Sequence, residues 1–189
     1  ATKDAMTFKS PSSGEPVGLS FIIPKTIDDL VKRREMMTHW AWESCGMMAR
    51  TPDFLNNAVS GWAGSSDYFS DNRPEFKDNV LRYHEHIREN DLTLTHTLVN
   101  LQRRRDSAIA DNIEEQVALT VVKETDAGIV VHGSRILATL GPISHEIAVY
   151  PTRTHTLGKD SWRQAFSFAL PCATPGLKFI CRESLDLGR

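Results

Sequence analysis

Val117-Ala-Leu-Thr-Val-Val122, the turn Thr125-Asp-Ala-Gly128 and Ile129-Val-Val131 read as a β-hairpin, β-branched residues running up to a glycine-bearing turn and back. Up to about residue 115 the chain has the opposite grammar, with apolar residues spaced for helices and polar starts in front of them. That switch sets the fold class as α+β, a helical part first and an antiparallel sheet or barrel second. The expected domains are 1–115, an N-terminal arm with a helical domain, and 116–189, a central β-domain that is incomplete.

Beyond the hairpin, three further strands are expected at Ile147-Ala-Val-Tyr150, Ala165-Phe-Ser-Phe-Ala169 and Leu177-Lys-Phe-Ile180, with Gly- and Pro-bearing loops between them. Ahead of it, residues 1–23 read as an extended Ser/Pro/Gly-rich arm that docks through Leu19-Ser-Phe-Ile-Ile23. Thr26-Ile-Asp-Asp29 is a capping-box pattern opening a helix that runs to about Ala49, with Leu30, Met37, Trp40 and Ala41 as its buried stripe and Gly46 softening its last turn. Thr51-Pro52 starts a second helix as N-cap and N1, Asp53 complements its dipole, and Gly61 and Gly64-Ser-Ser66 break it. Pro74 opens a third, with Phe76, Val80, Tyr83 or His84, and Ile87 on one side and an end at Asn90-Asp91.

With 189 residues, 40% hydrophobic and 24% charged, the composition is that of a soluble globular protein. A formal net charge of −2 leaves no general attraction to nucleic acid or anionic lipid. Three cysteines, Cys45, Cys172 and Cys181, form no C-x-x-C and leave an odd one in any pairing, so free thiols and a cytoplasmic setting are expected. Apolar runs such as Gly128-Ile-Val-Val131 are too short to cross a bilayer. The sequence opens without methionine and stops at Asp186-Leu-Gly-Arg189 directly after an apolar stretch, which reads as a piece of something longer.

Two segments carry the chemistry. Arg50-Thr-Pro-Asp-Phe54 places a cation and an aromatic ring about one turn apart at a helix start. Leu94-Thr-His96-Thr-Leu-Val-Asn100 sets a histidine in a polar-apolar run. An anion clamp, a ring wall and a proton acceptor suit a small phenolic acid. Each piece also has a plain structural reading: Arg50 as a cation near a helix end, His96 as a satisfied interior histidine, Arg103-Arg104-Arg105 as a solvated face. In a flavin enzyme the same three arginines would grip a pyrophosphate. A metal site is not expected, since His84 and His86 lie two apart and Tyr83-His-Glu-His86 reads as a solvated helix face. Glycine motifs for a dinucleotide fold or a P-loop are missing, as is the G-x-S-x-G elbow of hydrolases.

The segments Gly18-Leu-Ser-Phe-Ile-Ile-Pro24, Gly46-Met-Met-Ala-Arg-Thr-Pro-Asp-Phe54, Glu89-Asn-Asp-Leu-Thr-Leu-Thr-His96, Asp126-Ala-Gly-Ile-Val-Val131, Ala138-Thr-Leu-Gly-Pro-Ile-Ser144 and Pro175-Gly-Leu-Lys-Phe-Ile-Cys-Arg-Glu-Ser184 resemble, in the same order, the oxygenase component of the 4-hydroxyphenylacetate 3-monooxygenase family. The resemblance implies an acyl-CoA-dehydrogenase-like architecture whose C-terminal helical bundle, the source of part of the flavin pocket and the main oligomer contacts, is absent here. It implies FAD as cofactor, delivered reduced by a separate flavin reductase, and O2 as co-substrate. A phenolic substrate is then hydroxylated ortho to its hydroxyl, a step of aromatic hydrocarbon catabolism. A homo-oligomer is implied for the longer form.

Carried onto this sequence, the resemblance makes Arg50 and His96 the catalytic pair at the phenol, with Phe54 and Thr152 beside the substrate. The cofactor positions it implies are His96, Thr97, Leu98, Gln102, Arg103, Arg104, Arg105 and Thr139. Phe54 stands where the family commonly has tyrosine, keeping the ring and losing the hydroxyl. Two alternatives stay open: a 4-hydroxybutyryl-CoA dehydratase-like flavoenzyme, against which Cys45 without a second cysteine one turn later argues, and a non-catalytic truncated homologue.

Overall fold

Burial in the N-terminal part centres on Phe21, fully enclosed at the end of a 3-10 turn, Leu19–Phe21, and flanked by buried Leu19 and Ser20. The computed structural model describes residues 2–47, 53–71, 73–100, 117–151, 161–181 and 183, and its contacts divide into two units, Ala1–Leu94 and Thr95–Arg189. The expected boundary at 115/116 lies outside the described residues.

The first unit opens with a short helix α1 (Thr2–Met6) and an antiparallel pair, β1 (Thr7–Lys9) and β2 (Pro16–Gly18), with Phe8 opposite Val17. The arm is therefore more structured than an extended strand, while its C-terminal end docks as expected. Four helices follow: α2 (Ile27–Glu43), α3 (Asp53–Gly64), α4 (Asp67–Ser70) and α5 (Pro74–Glu89). α5 packs on α3 and α4, and α3 on the 3-10 turn. The loop between β1 and β2 is tied to the end of α5. Ser10 and Ser13 each donate to the Glu89 carboxylate at 2.6 Å, and Arg88 donates to Ser12 at 2.8 Å. Those two hydroxyls, with Arg88, lower the Glu89 pKa to about 2.

The capping box of α2 is present in both directions, the Asp29 N–H reaching Thr26 Oγ1 at 3.1 Å and the Thr26 N–H reaching Asp29 Oδ2 at 3.0 Å. Two other expectations for this helix fail. It ends at Glu43, not near Ala49, in a Schellman turn: Gly46 N–H bonds the Ala41 carbonyl at 2.8 Å and Cys45 N–H the Trp42 carbonyl at 3.1 Å. The left-handed C′ residue is Cys45, φ 52°, so the glycine-like position falls one residue before Gly46. Its expected stripe is also misplaced: Leu30 and Met37 are 53% and 55% exposed, Ala41 is exposed, Trp40 is half-buried, and Met36 is the residue that α2 buries. Periodicity marks an apolar face without saying what covers it.

Gly61 does not break α3, which continues to Gly64. A lone glycine costs a helix interior about 1 kcal/mol, which adjoining packing outweighs. The N-cap reading of Thr51 and Pro52 falls outside the described residues. α5 begins with Pro74 at its first turn and faces inward along Phe76, Val80, Tyr83, His84 and Ile87, as expected. His84, however, is buried and not on a solvated face.

Its Nε2 lies 2.9 Å from the Phe21 carbonyl and 3.2 Å from Ser60 Oγ. A carbonyl only accepts, so Nε2 carries the proton and cannot also take one from Ser60, whose hydroxyl donates to the Asn56 carbonyl at 2.7 Å. Burial lowers the His84 pKa, with the Arg88 charge adding to the effect and the Phe21 carbonyl and Glu85 opposing it.

In the second unit β3 (Leu94–Thr97), β6 (Glu146–Val149) and β7 (Phe168–Pro171) form one sheet in the order β3-β6-β7, with β6 antiparallel to β7 and Ile147 opposite Leu170. β6 is buried along its whole length, covered on both faces. The expected hairpin forms, its first strand β4 (Thr120–Thr125) starting three residues later than Val117, paired antiparallel with β5 (Gly128–His132) with an irregularity between Val121 and Lys123. Gly133 after it has φ 127°, and a Cβ there would lie 2.3 Å from the Ala118 carbonyl oxygen. β7 starts at Phe168, three residues later than the expected Ala165. Leu177–Ile180 forms no strand, with Ile180 95% exposed and no strand paired to it among the described residues.

Two outcomes test this packing. Phe21→Ala should destabilise the chain by about 3–5 kcal/mol in urea titration, whereas Met37→Ala, on the exposed face of α2, should fall within about 0.5 kcal/mol. Because the folded pKa of His84 lies below its unfolded value, its contribution is complete above pH ~6.5 and is lost as pH falls below that. The urea midpoint should therefore drop between neutral and acidic pH, and His84→Gln should reduce the slope.

Candidate active site

β3 is the strand on which the candidate residues converge. Leu94, Thr95, His96 and Thr97 are all buried, and a strand sends successive side chains to opposite faces. Thr95 and Thr97 thus share one face and His96 takes the other. On the threonine face both hydroxyls donate to carbonyls of a single loop: Thr95 to Thr139, and Thr97 to Ile136 at 2.9 Å. The backbone adds a third tie, Ile136 N–H to the Val99 carbonyl at 2.9 Å.

The loop so held is unusual. Gly141 N–H closes a turn onto the Ala138 carbonyl at 2.9 Å, which makes Thr139 and Leu140 its central residues. Leu140 has φ 66°, ψ 7°, and Thr139 is not among the positive-φ residues, which defines a type II turn with leucine where glycine is the usual choice. Leu137, also at φ 66°, enters the loop in the same strained region. Each such leucine costs about 1–2 kcal/mol. Gly141 leaves the turn against the Phe179 ring, where a Cβ would approach a ring carbon to 2.5 Å. Thr139 itself is exposed, and its hydroxyl makes no hydrogen bond among the described residues.

On the other face the His96 ring meets Tyr150, centroids 6.0 Å apart and planes tilted by 38°. Tyr150 follows β6, and its N–H donates to the Thr97 carbonyl at 3.0 Å. Burial pushes its phenol up to about 12, so it stays protonated across the working range. Beyond β3, Arg135 donates to Asn100 and lies 6.0 Å over the Phe166 ring. Leu98 is part-exposed beside the strand.

In the first unit, Phe54 sits in the first turn of α3 with half its surface exposed, and Asp53 beside it is part-buried. Burial raises the Asp53 pKa, Asp91 adds to the rise, and a hydrogen bond with Ser20 opposes it. Arg50, Gln102, Arg103, Arg104, Arg105 and Thr152 lie outside the described residues.

Of the sequence-derived positions the structure thus brings His96, Thr97 and Thr139 to one strand and the loop bound to it. Sequence reasoning missed Thr95 and Tyr150. The signal for Thr95 was present, because in Thr-His-Thr a period of two gives both threonines the same face. Nothing in the sequence marks Tyr150.

Among the described residues no group of three or more His, Cys, Asp or Glu could hold a metal, and no helix is long and apolar enough to cross a membrane. An exposed hydroxyl at Thr139 beside a buried strand, three of whose four residues are polar, fits a flavin ring; Thr95, His96, Thr97, Leu98 and Thr139 carry no carboxylate, while the adjoining β6 buries Glu146.

A helical unit followed by a unit of antiparallel strand pairs is the leading part of an acyl-CoA-dehydrogenase-like fold. An oxygen-tolerant archaeal 4-hydroxybutyryl-CoA dehydratase from N. maritimus superposes with a TM-score of 0.70 over 89% of this chain and 33% of its own, and its 16% identity makes this a likeness of fold alone. The family is more specific. The chain matches the family described as 4-hydroxyphenylacetate 3-hydroxylase N terminal over residues 1–189 and belongs to it.

Among relatives, the 4-hydroxyphenylacetate 3-monooxygenase oxygenase component of Geobacillus sp. (strain PA-9) is 44% identical, covering 98% of this chain and 38% of its own length. That of Thermus thermophilus is 39% identical, covering 97% and 36%. A crystal structure of the oxygenase component (HpaB) of 4-hydroxyphenylacetate 3-monooxygenase complexed with FAD and 4-hydroxyphenylacetate has a TM-score of 0.81 at 40% identity, covering 96% of this chain and 36% of that one. The chain therefore spans little more than a third of the length of these relatives.

If the Tyr150 ring fixes the imidazole, Tyr150→Leu should shift the His96 ring-proton resonances by loss of ring current, while Tyr150→Phe leaves them close to wild type. NMR of histidine-labelled chain reads both.

Proposed function

We propose that this chain is the N-terminal part of the oxygenase component of a two-component monooxygenase that hydroxylates a phenol ortho to its hydroxyl, 4-hydroxyphenylacetate or a compound like it. The reading rests on family membership along the whole chain together with one structural observation, the burial of His96 on β3 beside a loop that exposes Thr139. Reduced FAD, supplied by a separate reductase, would provide the electrons and the place where O2 is activated. Thr97, Leu98 and Thr139 would lie along its ring, and Gln102 through Arg105 would form the next flavin-binding stretch, with Arg103, Arg104 and Arg105 against its pyrophosphate. The longer protein would work in the cytoplasm as a homo-oligomer.

The chain's own task is to prepare the phenol. A phenolate donates electrons from its ring far more readily than a phenol, yet phenols ionise near pH ~10 and histidine near ~6.5. Burial beside His96 makes ionisation harder still, as the rise of Tyr150 to about 12 illustrates. A substrate phenol in that setting needs an acceptor for its proton and a cation for its oxygen. His96 takes the first role. Arg50 takes the second, with a charge-assisted hydrogen bond typically contributing about 1.5–3 kcal/mol. Phe54 supplies a ring wall, and Thr152 a polar contact to the substrate.

Anaerobic titration of reduced FAD into the chain, then oxygen and 4-hydroxyphenylacetate with product assay, tests the proposal. Binding followed by catechol formation supports it, and absence of both in this chain and in one extended past Arg189 removes it. In an active form, His96→Ala should lower hydroxylation about 10²–10⁴-fold; near-normal rates from pH 6 to 9 would eliminate the proton-transfer role. Phe54→Tyr should alter substrate affinity, and an unchanged KM would take residue 54 out of the pocket.

A further inference from the structure

The central peptide of the 138–141 turn can face either of two ways. In a type I turn its second central residue sits at negative φ, where leucine is comfortable; in a type II turn the peptide is flipped and that residue must take positive φ. Leu140 is in the second state, against its own preference, with φ 66°. The Thr139 carbonyl belongs to this peptide, and the hydrogen bond it accepts comes from the hydroxyl of buried Thr95. A trans peptide points its carbonyl and its N–H in opposite directions. Fixing the Thr139 carbonyl toward β3 therefore turns the Leu140 N–H away from it.

We propose that Thr95 is a positioning residue: its hydroxyl locks the Thr139–Leu140 peptide in the flipped orientation, and the lock turns the Leu140 N–H away from β3 as a donor to the flavin ring. Thr97 secures the entry to the same loop through the Ile136 carbonyl, 2.9 Å from its hydroxyl. The cofactor half of this inference rests on the flavin reading given above, whereas the lock rests on geometry alone. Valine is nearly isosteric with threonine and deletes the hydroxyl. Serine restores it. Glycine at 140 adopts positive φ without steric cost and makes the lock unnecessary.

The test compares wild type with Thr95→Val, Thr95→Ser, and Thr95→Val combined with Leu140→Gly, using FAD itself as the probe and hydrogen exchange of the Leu140 amide as a readout that needs no cofactor. Thr95→Val should weaken FAD binding about tenfold and change Leu140 exchange, as expected when a part-buried carbonyl loses its partner. Thr95→Ser and the double variant should both return toward wild type. Unchanged exchange in Thr95→Val, or recovery with serine but not with Leu140→Gly, overturns the lock. Exchange that follows the expected pattern when neither this chain nor one extended past Arg189 binds FAD upholds the lock and overturns its assignment to a flavin.

Discussion

The alternation of side chains along β3 is the constraint on which the candidate site depends. Four residues buried in one strand cannot all face the same neighbour, so the threonines and the histidine are divided between two sets of partners. On one side Thr95 and Thr97 hold carbonyls of the 136–139 loop; on the other His96 meets Tyr150. A shift of register by one residue would exchange the two faces and dismantle both arrangements. The backbone guards against it, with Thr97 bonded to Tyr150 and Val99 to Ile136.

Strain and burial are coupled in this unit. Two leucines at positive φ are unfavourable taken alone, and they persist because hydroxyl bonds from β3 and the backbone bond between Ile136 and Val99 over-determine the loop. The ring of Phe179 against Gly141 closes the other side, where no larger residue fits. The first unit uses a different device. There a buried histidine bonds the Phe21 carbonyl and pins the end of the arm to α5, while Glu89 gathers serines from the loop before it. In both units polar groups with satisfied partners hold irregular backbone that apolar packing alone would not orient.

Helix starts were legible wherever local chemistry decides them. The Thr26–Asp29 box and Pro74 do their work within three or four residues, so their spacing in the chain is their spacing in space. The β4–β5 hairpin was readable for the same reason. The α2 stripe was not: Leu30 and Met37 lie on an apolar face, but the choice of Met36 for burial was made by what packs against the helix. Gly46 pointed to a helix end without revealing that Cys45 takes the left-handed position. Leu177–Ile180 had the composition of a strand, and strands exist only through partners.

The sequence by itself determined the kinds of element, the order of helical and sheet parts, the family, and the candidacy of His96 and Thr139. It could do so because propensity, capping and motif spacing act over a few residues, and because family likeness is written in the order of the segments. Tertiary structure alone decided what those residues meet. Thr95 bonds a carbonyl 44 residues away, and the ring beside His96 comes from the end of another strand. Such pairs are chosen by the register of β3 in its sheet, a property of chain segments brought together that no local stretch contains.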